Sequence, residues 1–188
     1  MNLTISLRDV LRTEELSRRR CRPVDAFAIR RANTTIARCR AHGYAALLQS
    51  VCELALDTCG AQSAGISILN GSTDESLFVW DALAGQLSQQ VGAKVSRRHS
   101  PCGVCMDLDD PQLFVYPERH FSWMRQAKIP IPECLVVPLY LEGMLPFGTI
   151  WIMMHDIGRL FDQEDVRILK AFGAQACAEC RSQISYEG

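Results

Sequence analysis

The chain has 188 residues, 48% of them apolar, with 20 Lys and Arg against 21 Asp and Glu for a formal net charge of -1. That length fits one domain with a core of ordinary size and an arm at one end, and leaves no room for a second full domain. The near-neutral charge excludes a chain-wide electrostatic footprint for nucleic acid or for an anionic membrane surface.

Leu3, Leu7, Val10 and Leu11 recur at helical spacing until Arg22-Pro23 interrupts them, which predicts an N-terminal helical arm over residues 1–24. Arg18, Arg19, Arg20 and Arg22 form a basic run with no interleaved aromatic residue, so it reads as a solvated helix end rather than a phosphate-binding patch. From Asp25, the apolar positions Phe27, Ile29, Ile36 and Ala37 precede Gly43, and a second apolar face from Leu47 to Leu56 ends at Cys59-Gly60. This predicts two helices, or one helix broken near His42-Gly43. Ala64 to Leu69 and Leu77 to Ala82 predict antiparallel strands joined at Asn70-Gly71-Ser72. Residues 83–100 are polar and poor in pattern, a loop with a short helix near Leu83 to Val91. Then come one or two helical turns around Cys102 to Leu108, a short strand over Gln112 to Tyr116 and a lid helix over Glu118 to Lys128. Val136 to Leu141 and Thr149 to Met154 are the strongest strands, joined across Glu142-Gly143, and Asp162 to Ser185 predicts a long last helix N-capped by Asp162. The order specifies an α+β domain whose variable connections lie on one face of its sheet.

No run of about 18 apolar residues occurs, and the start, MNLTISLRDVLRTEEL, carries charges where a secretory core should be, so a cytoplasmic protein with no membrane partner is expected. Nine cysteines at irregular spacing then read as reduced thiols. A catalytic Ser-His-Asp set, a P-loop and a dinucleotide fingerprint are all missing.

Ser100-Pro101-Cys102-Gly103 with Asp107, Gln112-Leu113-Phe114, Pro117-Glu118-Arg119 with Phe121, Val137-Pro138 with Gly143, Gly148-Thr149 with Trp151, and His155-Asp156 form a recognisable succession. Arg159, Phe161-Asp162, Glu164-Asp165 and Arg167 complete it. Over roughly residues 25 to 185 the chain resembles the GAF sensor domains, in particular a subgroup found ahead of bacterial histidine kinases. The resemblance implies a GAF domain over residues 25–188: a central antiparallel sheet, the first and last helices on one face, and lid loops over a pocket on the other. It further implies a noncatalytic sensor for a small ligand. Ligands of such domains include cyclic nucleotides, linear tetrapyrroles, metal or iron-sulfur centres and small metabolites, so the fold leaves the cofactor unknown. Output is expected through a homodimer of the first and last helices, or through a separate histidine kinase or other signalling protein, because no kinase region follows the last helix. The segment Met144-Leu145-Pro146-Phe147 is more apolar than a hairpin tip needs, and reads either as a partner contact or as a loop folded back on the sheet.

The expected ligand-binding set is Trp80, Cys102, Asp107, Phe114, His120, Phe121, Trp151 and His155. The two tryptophans offer large apolar bodies with an N–H that needs a partner when buried, His120 is a donor in the lid, and Asp156 stands beside His155 to fix its tautomer. Each also has a plain structural reading as core, surface or strand end. Cys102-x-x-Cys105 and Cys177-x-x-Cys180 have the spacing of zinc or iron-sulfur pairs, but the resemblance places them on opposite faces of the sheet. Cys102 alone stands at a helix start, where the backbone dipole lowers a thiol pKa, and makes a redox pair with Cys105. Cys134 is a third thiolate for a cluster or soft metal, or a packed apolar group. Two further functions follow from these thiols: a redox or metal sensor using Cys102, Cys105 and Cys134, and an enzyme similar to the GAF-fold reductases of free methionine sulfoxide, with Cys102 attacking and Cys105 or Cys134 resolving. A covalent tetrapyrrole is disfavoured, because Gly103 and Met106 follow these cysteines where bilin-attaching domains commonly carry His.

Overall fold

The computed structural model describes residues 5–23, 26–71, 75–141 and 145–184. Four α-helices, α1 (Ala26–Cys39), α2 (Tyr44–Cys59), α3 (Pro101–Leu108) and α4 (Gln163–Ile184), accompany six strands, β1 (Ser63–Asn70), β2 (Leu77–Gly85), β3 (Lys94–Ser96), β4 (Gln112–Val115), β5 (Glu133–Tyr140) and β6 (Pro146–Met154). The strands form one antiparallel sheet in the order β3-β2-β1-β6-β5-β4.

The period of two along each strand sorts side chains between two cores. In β5 and β6, Leu135, Val137, Ile150 and Ile152 face a layer built of α2 and α4, with α1 packed on both helices. Cys134, Val136, Trp151 and Met153 face the other side, where α3 lies against β4, β5 and β6. In β2 the alternation switches. Ile66 pairs with Ala82 and Ser67 with Trp80, which leaves Asp81 as an extra residue, a β-bulge. Phe78 and Trp80 therefore point to the α3 side while Ala82 and Ala84 point to the helical layer.

Local chemistry sets the helix ends. α2 stops at Gly60, whose φ of 58° is the left-handed conformation that closes a helix without a Cβ penalty. Asp162 caps α4 by accepting from the Glu164 N–H at 2.7 Å.

Four expectations change. The arm is two 3₁₀ turns, Leu7–Asp9 and Thr13–Glu15, not an α-helix. Between them the chain is extended: Val10 O accepts from the Val115 N–H and the Arg12 N–H donates to Leu113 O, each at 2.8 Å, so the β-branched Val10 and its neighbours cover the edge of β4. The helix expected near Leu83 to Val91 is the end of β2 followed by a 3₁₀ turn at Ser88–Gln90, and the polar stretch after it contains β3. The lid consists of 3₁₀ turns at Pro117–Arg119 and Ser122–Ala127, because Phe121, at φ -87° and ψ 85°, breaks the segment between Tyr116 and Lys128, which both take positive φ. Leu3, Asp25, Ser72, Glu142-Gly143, Met144 and Ser185 lie outside the described residues, as does the side chain of Cys180; Leu145, within the expected apolar segment, is 85% exposed. Among the described residues no helix is long and apolar enough to cross a membrane.

Candidate functional site

Between the sheet and the lid, the three tryptophans of the chain come together. Trp80 on β2 meets Trp151 on β6 with ring centroids 5.4 Å apart, and Trp123 in the second lid turn with centroids 6.3 Å apart, both pairs tilted. Trp151 is seated by the donation of its Nε1 to Ser67 Oγ at 2.8 Å and by Gly65, where any Cβ would collide with the indole ring. Trp123 is held by donation from Nε1 to His99 O at 2.7 Å.

The rings of Trp80 and Trp123 border a cavity of about 250 Å³. Its walls are Trp80, Leu87, Ala93 and Val95 from the β2–β3 region, Met153 and His155 from β6 and its end, and Trp123, Met124, Ile129 and Ile131 from the lid, with Gln90, Lys94 and Gln126 at the rim. A narrow void continues inward under α3, past Cys102 and Cys134 to Trp151. The lining is thus apolar within and polar only at the rim, the composition of a small-molecule site.

His155 lines this cavity, but both its ring nitrogens are committed to the protein. Nδ1 lies 2.8 Å from Pro130 O, an obligate acceptor, and Nε2 lies 2.8 Å from Ser63 Oγ, which also accepts from the Leu87 N–H. Nδ1 therefore carries the proton and Nε2 accepts from the Ser63 hydroxyl. Burial holds the imidazole below its usual range near 6.5, against the opposing pull of Pro130 O and Asp156. Asp156 does not fix this tautomer; its carboxylate accepts from Gln62 Nε2 and the Gly158 N–H.

The other expected residues divide. Phe114 and Phe121 are buried on the same side of the sheet, 5.9 Å apart edge to face, where they support the lid and the arm without lining the cavity. Asp107 is exposed and pairs with Arg97, so it contributes to the surface of α3. His120 is exposed, with Nδ1 2.8 Å from Ile5 O, and faces the arm. Trp123, Met124, Met153, Gln90, Lys94 and Gln126 were not anticipated. Two carried a usable signal: Trp123 as an aromatic residue in the expected lid, and Met153 by its spacing of two from Trp151 and His155.

Burial opposes the lowered thiol pKa expected of Cys102 at a helix start. α3 does begin here, with Ser100 Oγ accepting from the Gly103 N–H at 3.1 Å, but burial pushes the Cys102 thiol up and outweighs the hydrogen-bonding groups around it. Burial likewise raises Cys105 and Cys134, with the neighbouring thiols adding to the effect. The three form part of the apolar core, with Cys105 Sγ 3.5 Å from Val136 O, and among the described residues no three His, Cys, Asp or Glu are placed to hold a metal ion. Cys177 belongs to the core on the opposite face of the sheet.

A family model described as "GAF domain" matches residues 41–177. The chain belongs to the GAF domain family. Members of this family are small-molecule-binding sensory domains, generally regulatory, and the cavity lies between sheet and lid in this one. Comparison with curated proteins finds no significant match. Among solved structures, the GAF domain from a phosphoenolpyruvate-protein phosphotransferase of Coxiella burnetii superposes with a TM-score of 0.70 at 14% identity, covering 87% of this chain and 98% of that one. Free methionine-R-sulfoxide reductase from Neisseria meningitidis, in complex with its substrate, gives 0.67 at 15% identity over 87% and 96%. The phycoerythrobilin-bound GAF domain from a cyanobacterial phytochrome gives 0.62 at 9% identity over 85% and 95%. At these identities the likeness is one of fold.

Proposed function

We propose that this GAF domain is a noncatalytic sensor that binds a small organic ligand in the tryptophan-lined cavity and reports its occupancy through contacts made by its helical layer. The observation that carries this reading is the cavity itself. Two indoles, Trp80 and Trp123, and two methionines surround about 250 Å³ beneath a lid of short turns, and the polar side-chain atoms of His155 and Trp123 are already bonded to protein, so the interior suits a largely apolar guest. The raised thiols weigh against a reductase working through Cys102.

On the output side, α1 and α4 lie on the face of the sheet opposite the lid, so a ligand alters them through β6 and β5. The partner is a second copy of this chain, a separate histidine kinase or another signalling protein. A metabolite screen by thermal shift on the full chain tests the proposal, with light scattering on the free and loaded protein. At a hundredfold excess over Kd a true ligand raises Tm by about 5 °C or more, and Trp80→Leu removes the shift. A screen with no stabilising compound, or shifts that survive Trp80→Leu, would reject the cavity as the sensing site.

A further inference from the structure

The polarity of the lining selects a ligand class, an inference that rests on the sensory reading above. No Asp or Glu lines the cavity. Lys94 stands at its rim, but it pairs with Val79 while the adjoining pair, Val95 and Phe78, faces the cavity side, so strand alternation turns the ammonium to the other face of the sheet. His155 has both ring nitrogens bonded, to Pro130 O and Ser63 Oγ. A charged guest would exchange water for indole, thioether and aliphatic carbon without a counter-charge.

One donor remains. Trp151 and Trp123 commit their Nε1–H groups to Ser67 Oγ and His99 O. Trp80 Nε1 has no acceptor among the described residues, and it is not among their sealed-in unpaired polar atoms, which are Arg22 Nε, Asn33 Oδ1, Glu118 Oε2, Thr149 Oγ1 and Arg159 Nη1. Because the residue itself is buried, an N–H that is neither bonded nor sealed in opens on the void its ring lines. The walls beside it are Trp123, tilted by 58° with centroids 6.3 Å apart, and the thioethers of Met124 and Met153, surroundings that favour another aromatic ring.

We propose that the ligand is a small uncharged aromatic molecule with one hydrogen-bond acceptor, a ring nitrogen or carbonyl oxygen, which accepts from Trp80 Nε1 while the ring packs against Trp123, Met124 and Met153. The volume, that of roughly eight waters, limits the ring system to one or two fused rings.

Three probes of nearly one shape, naphthalene, quinoline and N-methylquinolinium, separate ring, acceptor and charge. In proton–nitrogen correlation spectra of the full chain at pH 8, where quinoline is neutral, each indole N–H gives its own signal, assigned through the backbone resonances. In the free protein the Trp80 N–H exchanges with water faster than that of Trp151. Quinoline moves the Trp80 signal downfield and binds about fivefold more tightly than naphthalene, as one net hydrogen bond gives. The quinolinium, charged and without a lone pair, binds more weakly than either. Trp80→Phe keeps a ring in place and removes the preference for quinoline, and Trp123→Leu, at a half-buried position outside the sheet, weakens both neutral probes. A Trp80 N–H as protected as that of Trp151, a Trp80 signal unmoved by quinoline, equal affinity for quinoline and naphthalene, or preference for the quinolinium overturns the ligand class and leaves the sensory reading standing; each is read on the unaltered chain, whether or not Trp80→Phe folds. No binding by any probe also overturns the class, and together with a silent metabolite screen it overturns the sensory reading too.

Discussion

At the scale of single residues, His155 ties the cavity to the ends of three segments. Its ring joins the end of β6 to Pro130 in the lid and to Ser63 at the start of β1, and the Ser63 hydroxyl in turn accepts from Leu87 beside the cavity. Only the neutral ring satisfies all of these bonds, since a protonated Nε2 would leave the Ser63 hydroxyl proton without its acceptor. Because burial lowers the folded pKa below the unfolded value of 6.5, the unfolded chain binds more protons as pH falls. Stability from this group is therefore fully present above about pH 6.5 and is lost as pH drops through the lower, folded value. Urea midpoints measured from pH 5 to pH 8 should fall on the acid side, and His155→Gln should flatten that part of the profile; an unchanged slope in the variant would assign the loss to other groups. Part of the site was legible in the sequence because Trp80, Trp151 and His155 sit on or at the end of strands whose alternation can be read. Gln90, Lys94 and Gln126 were not, since they lie on a 3₁₀ turn, a three-residue strand and a lid turn, each too short to show a period. Asp107 and His120 face away from the cavity for the converse reason: on a two-turn helix and at the end of a 3₁₀ turn, one residue of rotation separates the cavity from solvent.

At the scale of elements, the arm is a strap across the edge strand. Arg19 donates to both carboxylate oxygens of Glu133 on β5, at 3.0 and 2.7 Å, and to Phe161 O at 2.6 Å, while Glu133 also accepts from the Phe161 N–H. Glu133 is 2% exposed, so its charge is tolerable only with this partner. Arg19→Met should cost about 3 kcal/mol by leaving a buried carboxylate unpaired. Adding Glu133→Gln should recover part of that loss, because the amide keeps an acceptor for Phe161 without the charge. Urea denaturation of the two single variants and the double variant checks this, and additive losses would mean the pair is not coupled in the folded state. This strap explains why the arm departed from its helical pattern. Leu7, Val10 and Leu11 have helical spacing, but the exposed edge of β4 offers Val10 and Arg12 strand hydrogen bonds, which a short isolated helix cannot match. The strong strands and long helices were legible because their apolar periods span many residues; three-residue β3 and the 3₁₀ lid are too short to show a period.

At the scale of the whole molecule, a rigid half and a pliable half share one sheet. The helical side buries Val51, Ile66, Ile150, Phe161 and Phe172 completely, and α2 and α4 hold it with continuous backbone bonding. The lid has only 3₁₀ turns, bracketed by left-handed Tyr116 and Lys128; Phe121 and Met124 anchor it in the core, and part of its inner surface rests on the cavity. Opening the lid exposes part of one core, whereas opening β1 or β6 exposes both, so the two should exchange amide hydrogens by different events. In hydrogen exchange followed by mass spectrometry, amides of residues 117–129 should exchange by local opening while those of β1 and β6 wait for global unfolding. A ligand filling the cavity replaces the missing contacts beneath Trp123 and Met124, so protection should appear first in the lid and at the β2–β3 rim. Where the ligand also shifts the helical layer, α4 should change at the same ligand concentration as the lid, because β6 carries cavity residues on one face and packs against the helical layer with the other. Protection confined to the lid would separate binding from output, and place the partner contact on the lid side of the sheet.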